Sequence, residues 1–284
     1  MSWALVVTAP EEEAELVAAE LFDSGALGVE VQDHSLPLMP GTPALPDGRA
    51  RLIAHFASRE AVLELAQLTS GEPLEIAEQD WNISWRAHHK TMRMGPRSWV
   101  RPPWEELKLP AGEVAVVIDP GMAFGTGSHP TTSLCLERVD ELLQLFPGAD
   151  VLDVGTGSGV IALLAAKLGA GRVVGTENDP VALDVARKGA TLNGVDSVQW
   201  MLADNPDDVP GEFGIVIANI LLNTLEELSV QIAQRVAPGG RLVLSGLLAA
   251  QGDAAVAAYV EHGLRSVGRK ERDGWCRVEL ERSI

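Results

Sequence analysis

Hydrophobic and polar residues alternate in two different ways along the chain. Up to residue 80, short apolar segments that predict strands flank each of two amphipathic segments that predict helices. From about residue 113, short and mostly apolar segments alternate with helical patterns, which is typical of a parallel sheet covered on both faces. The sequence therefore predicts two domains with a connecting segment between them.

The first 80 residues predict the element order β-α-β-β-α-β, which is that of a ferredoxin-like module. The predicted elements span residues 3–8, 11–24, 27–31, 49–56, 59–68 and 74–79. Residues 35–48 hold four prolines and two glycines and predict a loop. No catalytic constellation is evident here, so we expect a small α+β recognition domain over residues 1–80.

Residues 111–284 predict an α/β, Rossmann-like domain. Strands are expected at 114–118, 151–154, 172–176, 198–202, 214–218 and 241–245, and helices at 131–145, 159–168, 180–193, 222–235 and 249–260. Two further strands, 264–270 and 275–280, are joined by a short turn and predict a hairpin. The sheet should therefore end in an antiparallel strand, which simple dinucleotide-binding domains lack.

Charge is distributed unevenly along the chain. Residues 1–80 carry 15 acidic and 3 basic side chains, residues 81–110 carry 2 and 6, and residues 111–284 carry 23 and 13. Nucleic-acid backbones bind through clustered Lys and Arg, so this distribution disfavours direct binding of DNA or RNA. It favours a basic protein partner, although an acidic surface that only maintains solubility is an equal alternative.

Residues 81–110 are the predicted linker, in which four tryptophans lie among six Lys and Arg side chains. An RNA contact is one interpretation, but tryptophans packed between domains are the more frequent arrangement. His88 and His89 are adjacent and do not face one site on a helix, so no metal site is expected. Cys135 and Cys276 are too few for a disulfide framework and predict small buried apolar side chains. With neither a bilayer-spanning segment nor a targeting signal evident, we expect a cytoplasmic monomer.

A glycine-rich turn follows the strand predicted at 151–154. Asp153 precedes three glycines in a D-x-G-x-G-x-G spacing, and Gly155 and Gly157 allow a sharp turn and close approach of the backbone to a ligand. The nicotinamide fingerprint requires another glycine where Val160 stands. The spacing resembles instead the first motif of S-adenosylmethionine-dependent methyltransferases. A tight strand-to-helix turn without a ligand is the alternative.

Acidic residues follow the next two predicted strands. Glu177 lies 22 residues after Gly155, where a carboxylate accepts from both hydroxyls of a ribose. Asp179 precedes Pro180 and is better explained as a helix N-cap than as a ligand. Asp204 is placed either to bind an adenine amine or to lie in a solvated loop. A small number of carboxylates, without a phosphate-binding loop, agrees with a cationic, phosphate-free cofactor.

Asn219 ends the fourth predicted strand, at the switch point of the strand order, where the transferred methyl group is expected. Enzymes that methylate planar amines typically place Asn-Pro-Pro-aromatic here, whereas this chain has Asn-Ile-Leu-Leu at 219–222. The missing aromatic residue favours a flexible aliphatic amine. Asn219 is the predicted catalytic residue, with its amide oxygen on an amine N–H or its backbone on the cofactor. A structural role at the strand end is the alternative.

Residues 118–132 form the most distinctive string, with three glycines and two prolines before a predicted helix. Such a loop can fold over a small molecule, with Phe124 as a lid, Thr126 among its hydroxyls and Thr132 near the helix N-terminus. His129 is either a general base or a residue that holds the loop at the helix start.

Together these segments resemble the ribosomal protein L11 methyltransferase family. The matching strings are residues 80–82 with Trp85, and residues 120–132, 152–159, 193–195, 218–221 and 275–277. The resemblance covers nearly the whole chain and implies a substrate-recognition domain, a linker and a Rossmann-like catalytic domain. It also implies trimethylation of lysine side chains and an N-terminal α-amine on one ribosomal protein. Cofactor contacts carry over to Thr132, Gly155, Glu177 and Asn219.

Two positions depart from the family pattern. Glu177 stands where aspartate is usual, and Ser128 stands where threonine is usual. A sister family methylates lysines of a mitochondrial electron-transfer flavoprotein, but the acidic first 80 residues favour the ribosomal substrate. A lysine methyltransferase for another protein, an RNA methyltransferase and a non-enzymatic S-adenosylmethionine-binding module are the remaining alternatives.

Overall fold

The computed structural model of the 284-residue chain describes residues 2–26, 28–32, 45, 48–56, 58–69, 71–76, 90–119 and 129–284. The chain divides into two compact units, Met1–His88 and His89–Ile284. The domain limits predicted from the sequence, at residues 80 and 110, remain predictions.

The N-terminal unit is an antiparallel four-stranded sheet with two helices. Its elements are β1 (Ser2–Pro10), α1 (Ala14–Asp23), β2 (Gly28–Gln32), β3 (Arg49–Phe56), α2 (Arg59–Thr69) and β4 (Glu72–Ile76). The strand order β2-β3-β1-β4 is that of a ferredoxin-like module, as predicted. Leu5, Leu52 and Val62 are fully buried between the sheet and the helices. Most of the predicted loop at 35–48 lies outside the described residues.

The second unit is built on a seven-stranded sheet. Its strands are β8 (Val151–Val154), β9 (Val173–Glu177), β10 (Val198–Leu202), β11 (Phe213–Asn219), β12 (Val236–Leu248), β13 (Leu264–Arg272) and β14 (Trp275–Arg282). Their order in the sheet is β10-β9-β8-β11-β12-β14-β13. Strands β8 to β12 are parallel, whereas β14 runs antiparallel to both β12 and β13. This arrangement confirms the predicted fold class.

Helices cover both faces of this sheet. They are α3 (Pro130–Leu145), α4 (Val160–Lys167), α5 (Pro180–Asn193), α6 (Leu222–Glu227), α7 (Ser229–Gln234) and α8 (Gly252–Val260). Side chains of a strand alternate between the two faces. On β11, Ile215 and Ile217 therefore enter one buried cluster, and Val216 and Ala218 enter the other. None of the helices in the described part of the chain has the length and apolar character needed to span a bilayer.

One element differs from the sequence prediction, because the helix predicted at 222–235 is divided at Leu228 into α6 and α7. The extended segment predicted at 114–118 is β7 (Val114–Val117), which lies outside the main sheet. It pairs with β6 (Ser98–Arg101), and β6 pairs with β5 (Met92–Arg93). An apolar pattern predicts that a strand is buried but not which strand it pairs with.

The small sheet β5-β6-β7 overlaps the predicted linker at 81–110. Asp140 of α3 is fully buried and fixes this sheet to the helix. Its Oδ2 accepts from the Arg97 backbone N–H at 2.7 Å and from the Ser98 hydroxyl at 2.8 Å. Its Oδ1 accepts from Arg97 Nε at 3.0 Å. A buried carboxylate with several charge-assisted hydrogen bonds holds both partners in one orientation.

Candidate active site

A cavity of about 700 Å³ lies at the carboxyl ends of the parallel strands. Its volume falls in the range of small-molecule sites, and its position is where open α/β sheets bind ligands. The wall follows the strand order, with Asp204 after β10, Glu177 on β9, Gly155 after β8, Asn219 on β11, Gly246 on β12 and Trp275 on β14. The strand order thus brings together residues that are far apart in the sequence.

The glycine-rich turn forms one wall of the cavity. Gly155, Gly157 and Gly159 have φ angles of 68°, 53° and 80°, a region that non-glycine residues rarely adopt. A Cβ atom on Gly155 would also lie 2.4 Å from Cγ2 of Ile220, so the turn packs directly against the residue after Asn219. Backbone conformation therefore favours glycine at all three positions, and close packing also requires it at Gly155.

Glu177 is held by three backbone donors. Its Oε2 accepts from the Gly157 N–H at 2.9 Å, and its Oε1 accepts from the N–H groups of Asn178 at 3.0 Å and Asp179 at 3.3 Å. A carboxylate offers about four acceptor positions, so it can still accept from a ligand hydroxyl. Asp179 caps α5 by accepting from the Val181 N–H at 2.8 Å, which confirms its predicted role as an N-cap. Asp179 and Asp204 also line the cavity.

Asp153, a predicted cofactor contact, lies beneath the glycine-rich turn and does not line the cavity. Its side chain is fully buried. Oδ2 accepts from the Thr156 hydroxyl at 2.6 Å and from the Ala162 N–H at 3.2 Å. Burial raises the pKa of Asp153 to about 7, although both hydrogen bonds oppose the shift. The structure therefore shows Asp153 holding the turn to the start of α4.

Asn219 and Thr132 lie next to each other although 87 positions separate them. Asn219 Nδ2 donates a long hydrogen bond of 3.4 Å to Oγ1 of Thr132. Asn219 Oδ1 is buried and has no hydrogen-bond partner within the part of the chain that the structure describes. Thr132 is fully buried behind Asn219, and Thr131 lines the cavity in its place. Phe124 and Thr126 lie outside the described residues.

His129 and Trp275 also line the cavity. His129 is the N-cap of α3, and its Nδ1 lies 2.7 Å from Oγ1 of Thr131. The rings of His129 and Trp275 meet edge to face, with centroids 4.7 Å apart and an angle of 70° between the planes. No local sequence pattern places Trp275 in the site, because only the pairing of β14 with β12 brings it there.

The chemistry of the wall limits the ligand. Three carboxylates, those of Glu177, Asp179 and Asp204, line the cavity, and no lysine or arginine is found among the described lining residues. The N–H of Gly157 is already bonded to Glu177 and does not form part of a phosphate-binding nest. Such a wall suits a ligand that has hydroxyls and positive charge but no phosphate, as S-adenosylmethionine does.

Comparison with known proteins identifies the family. A family model described as ribosomal protein L11 methyltransferase (PrmA) matches residues 2–283. The chain belongs to the ribosomal protein L11 methyltransferase family. It is 43% identical over 285 residues to the ribosomal protein L11 methyltransferase of Myxococcus xanthus, covering 98% of both chains. It is 39% identical over 292 residues to the protein of the same name from Burkholderia mallei, covering 95% of both.

A solved structure supports the same assignment. The crystal structure of ribosomal protein L11 methylase from Lactobacillus delbrueckii subsp. bulgaricus is 27% identical, with a TM-score of 0.62. The match covers 69% of this chain and 99% of that one. Family and fold together show that the chain is an S-adenosylmethionine-dependent methyltransferase. The resemblance and the cofactor expected from the sequence are therefore confirmed.

Proposed function

We propose that this methyltransferase methylates amino groups of ribosomal protein L11, namely lysine side chains and the N-terminal α-amine, up to the trimethylated state. The observation that carries the proposal is the amide of Asn219. It lies at the switch point of the sheet, its Nδ2 is bonded to Thr132, and its buried Oδ1 has no partner in the described residues. An amine N–H would satisfy this oxygen.

The cofactor would be held by the half of the cavity that contains the glycine-rich turn. Glu177 would accept from a ribose hydroxyl, Gly155 would let the backbone approach the cofactor closely, and Asp204 would lie near the adenine amine. S-adenosylmethionine supplies a methyl group on a positively charged sulfur, which is electrophilic. The carboxylates of the wall favour binding of this cation.

The acceptor amine must lose a proton before it can attack, because lysine has a reference pKa of about 10.4. Apolar side chains such as Ile220 and Leu228 line the cavity around Asn219. Their low polarity, together with the positive charge of the cofactor, lowers the pKa of an amine and favours its neutral form. Asn219 would then orient the amine through one N–H, and no strong base is required.

The residues after Asn219 favour a flexible acceptor. Leu221 lines the cavity and is 73% exposed, and it offers no flat aromatic surface on which a base could stack. An aliphatic amine on a lysine side chain or a chain terminus is narrow enough to enter past it. The acidic first 80 residues would attract a basic protein, with the N-terminal unit as the recognition domain. The proposal also includes that the protein is a cytoplasmic monomer and makes no direct contact with nucleic acid.

Mass spectrometry of purified ribosomal protein L11 after incubation with the enzyme and S-adenosylmethionine tests the proposal. Successive additions of one methyl group, mapped to lysines and the N-terminal amine, are expected. The Asn219→Ala variant should retain cofactor binding by calorimetry and lose most of the transfer. Cofactor binding without any addition to L11 would show that the enzyme has another substrate, and methyl groups appearing on ribosomal RNA would overturn the proposal.

A further inference from the structure

We propose that Trp275 and His129 form an aromatic binding site for the ammonium group of the acceptor. This site holds mono- and dimethylated amines between successive transfers. The inference rests on the proposed function, because it assigns the acceptor side of the same cavity.

The strand order places Trp275 on the acceptor side. The cofactor half of the cavity runs from Asp204 to Gly155, over the ends of β10, β9 and β8. Asn219 ends the next strand, β11, and Trp275 begins β14, two strands further along. Neighbouring strands are about 4.8 Å apart, so β14 runs roughly 10 Å from β11, on the side away from the glycine-rich turn. A group that contacts Trp275 on this side is therefore not the adenosine of the cofactor, and we assign it to the acceptor.

Contacts within the protein orient the His129 ring and set the backbone position of Trp275. The contact of His129 Nδ1 with Thr131 at the start of α3 sets the plane of the imidazole. The backbone of Trp275 is set by pairing with Leu248 and by the tight turn at Asp273 and Gly274, both of which have positive φ. The two ring planes meet at 70°, and both residues line the cavity. We call this pair of rings the aromatic corner.

The corner has the chemistry of an alkylammonium site. Indole faces attract cations, and quaternary ammonium groups are recognised by aromatic surfaces. Each added methyl group removes an N–H and adds apolar surface. Asn219 Oδ1, which depends on an N–H, therefore contributes less to binding as methylation proceeds, whereas the aromatic corner contributes more. The dimethylated amine is thus retained long enough to receive the third methyl group.

A binding experiment tests the site without ribosomal protein L11. The probes are Nα-acetyl-Nε-trimethyllysine amide and its neutral analogue with a tert-butyl group in place of the trimethylammonium. Both are titrated into the enzyme saturated with S-adenosylhomocysteine. The charged probe should bind about 5-fold more tightly. The Trp275→Leu variant should lose this preference, and Trp275→Phe should keep part of it. Equal binding of the two probes by the wild-type enzyme would overturn the proposal.

The distribution of products gives a second, independent readout. With limiting enzyme, Trp275→Leu should release mono- and dimethylated L11, whereas the wild-type enzyme should release mainly the trimethylated form. Leu248→Ala is the matched control, because Leu248 pairs with Trp275 but is not part of the cavity wall. It should leave the distribution unchanged. If Trp275→Leu slows all three transfers equally, the residue is structural and the inference fails. If the wild-type enzyme does not methylate L11, the proposed function fails, while the probe experiment still reports on the aromatic site.

Discussion

The backbone N–H of Gly157 donates to Oε2 of Glu177 at 2.9 Å, which ties the glycine-rich turn after β8 to the end of β9. Glutamate is one methylene longer than aspartate. In this chain the longer side chain reaches back to the turn and still borders the cavity. The carboxylate that would hold the ribose therefore also fixes the loop on which the cofactor would rest.

Replacing Glu177 by glutamine should weaken binding of S-adenosylhomocysteine by about 10-fold or more. The amide loses the negative charge, and its NH₂ group faces backbone donors that now lack an acceptor. Isothermal titration calorimetry gives the Kd. Asp184→Asn is the matched control, because Asp184 is on the exposed side of α5 and pairs with Lys188. An unchanged Kd for Glu177→Gln would exclude the assigned role.

Substituting alanine for Gly155 should lower the stability of the protein more than the same change at Gly194. Both glycines have positive φ, of 68° and 62°, which costs alanine about 1–2 kcal/mol. Only at Gly155 would the new Cβ also meet another residue, Cγ2 of Ile220 at 2.4 Å, whereas nothing lies within 4 Å at Gly194. Thermal unfolding should show a drop in Tm of a few degrees for Gly194→Ala and a clearly larger drop for Gly155→Ala. Similar drops would mean that Ile220 moves aside without cost.

The bond between Thr132 and Asn219 should matter for turnover. The Thr132→Val variant keeps the shape of the side chain but loses the hydroxyl. Asn219 Nδ2 then has no acceptor at residue 132 to orient the amide. We expect kcat to fall roughly 3–10-fold, which corresponds to the net free energy of one hydrogen bond. The Kd of the cofactor should change little. Thr132→Ser keeps the acceptor oxygen and should retain most of kcat. A valine variant as active as the wild-type enzyme would show that the amide is oriented by other groups.

Asp153 should make stability depend on pH. Its pKa is about 7 in the folded protein and about 3.9 in an unfolded chain. Between these values the folded state binds the extra proton, so this residue's contribution to the free energy of unfolding is fully present below about pH 4. It is lost as the pH rises from about 4 to 7. Asp153→Asn removes this titration.

The variant should therefore gain stability relative to the wild-type enzyme as the pH rises from 4 to 7, by a few kcal/mol at most. Urea unfolding of both proteins at several pH values measures the difference. A difference that stays constant over this range would show that Asp153 is ionised in the folded state at all of these pH values.

Much of this protein is determined by its sequence. The apolar runs of β8 to β12, the turn glycines and the capping residue Asp179 specify local structure, because backbone conformation and burial depend on residue type and spacing. They predicted the fold class, the glycine-rich turn, Glu177 and Asn219. Family-specific strings such as residues 120–132 indicated the family and its cofactor.

Tertiary structure decided which residues meet. The contact of Thr132 with Asn219, the burial of Asp153 and the position of Trp275 depend on strand order and register, which no local pattern encodes. The same apolar run is compatible with several partners, as β7 shows by pairing with β6 and not with the main sheet. Only the packed sheet brings these distant residues together, because side-chain contacts across strands arise from long-range pairing.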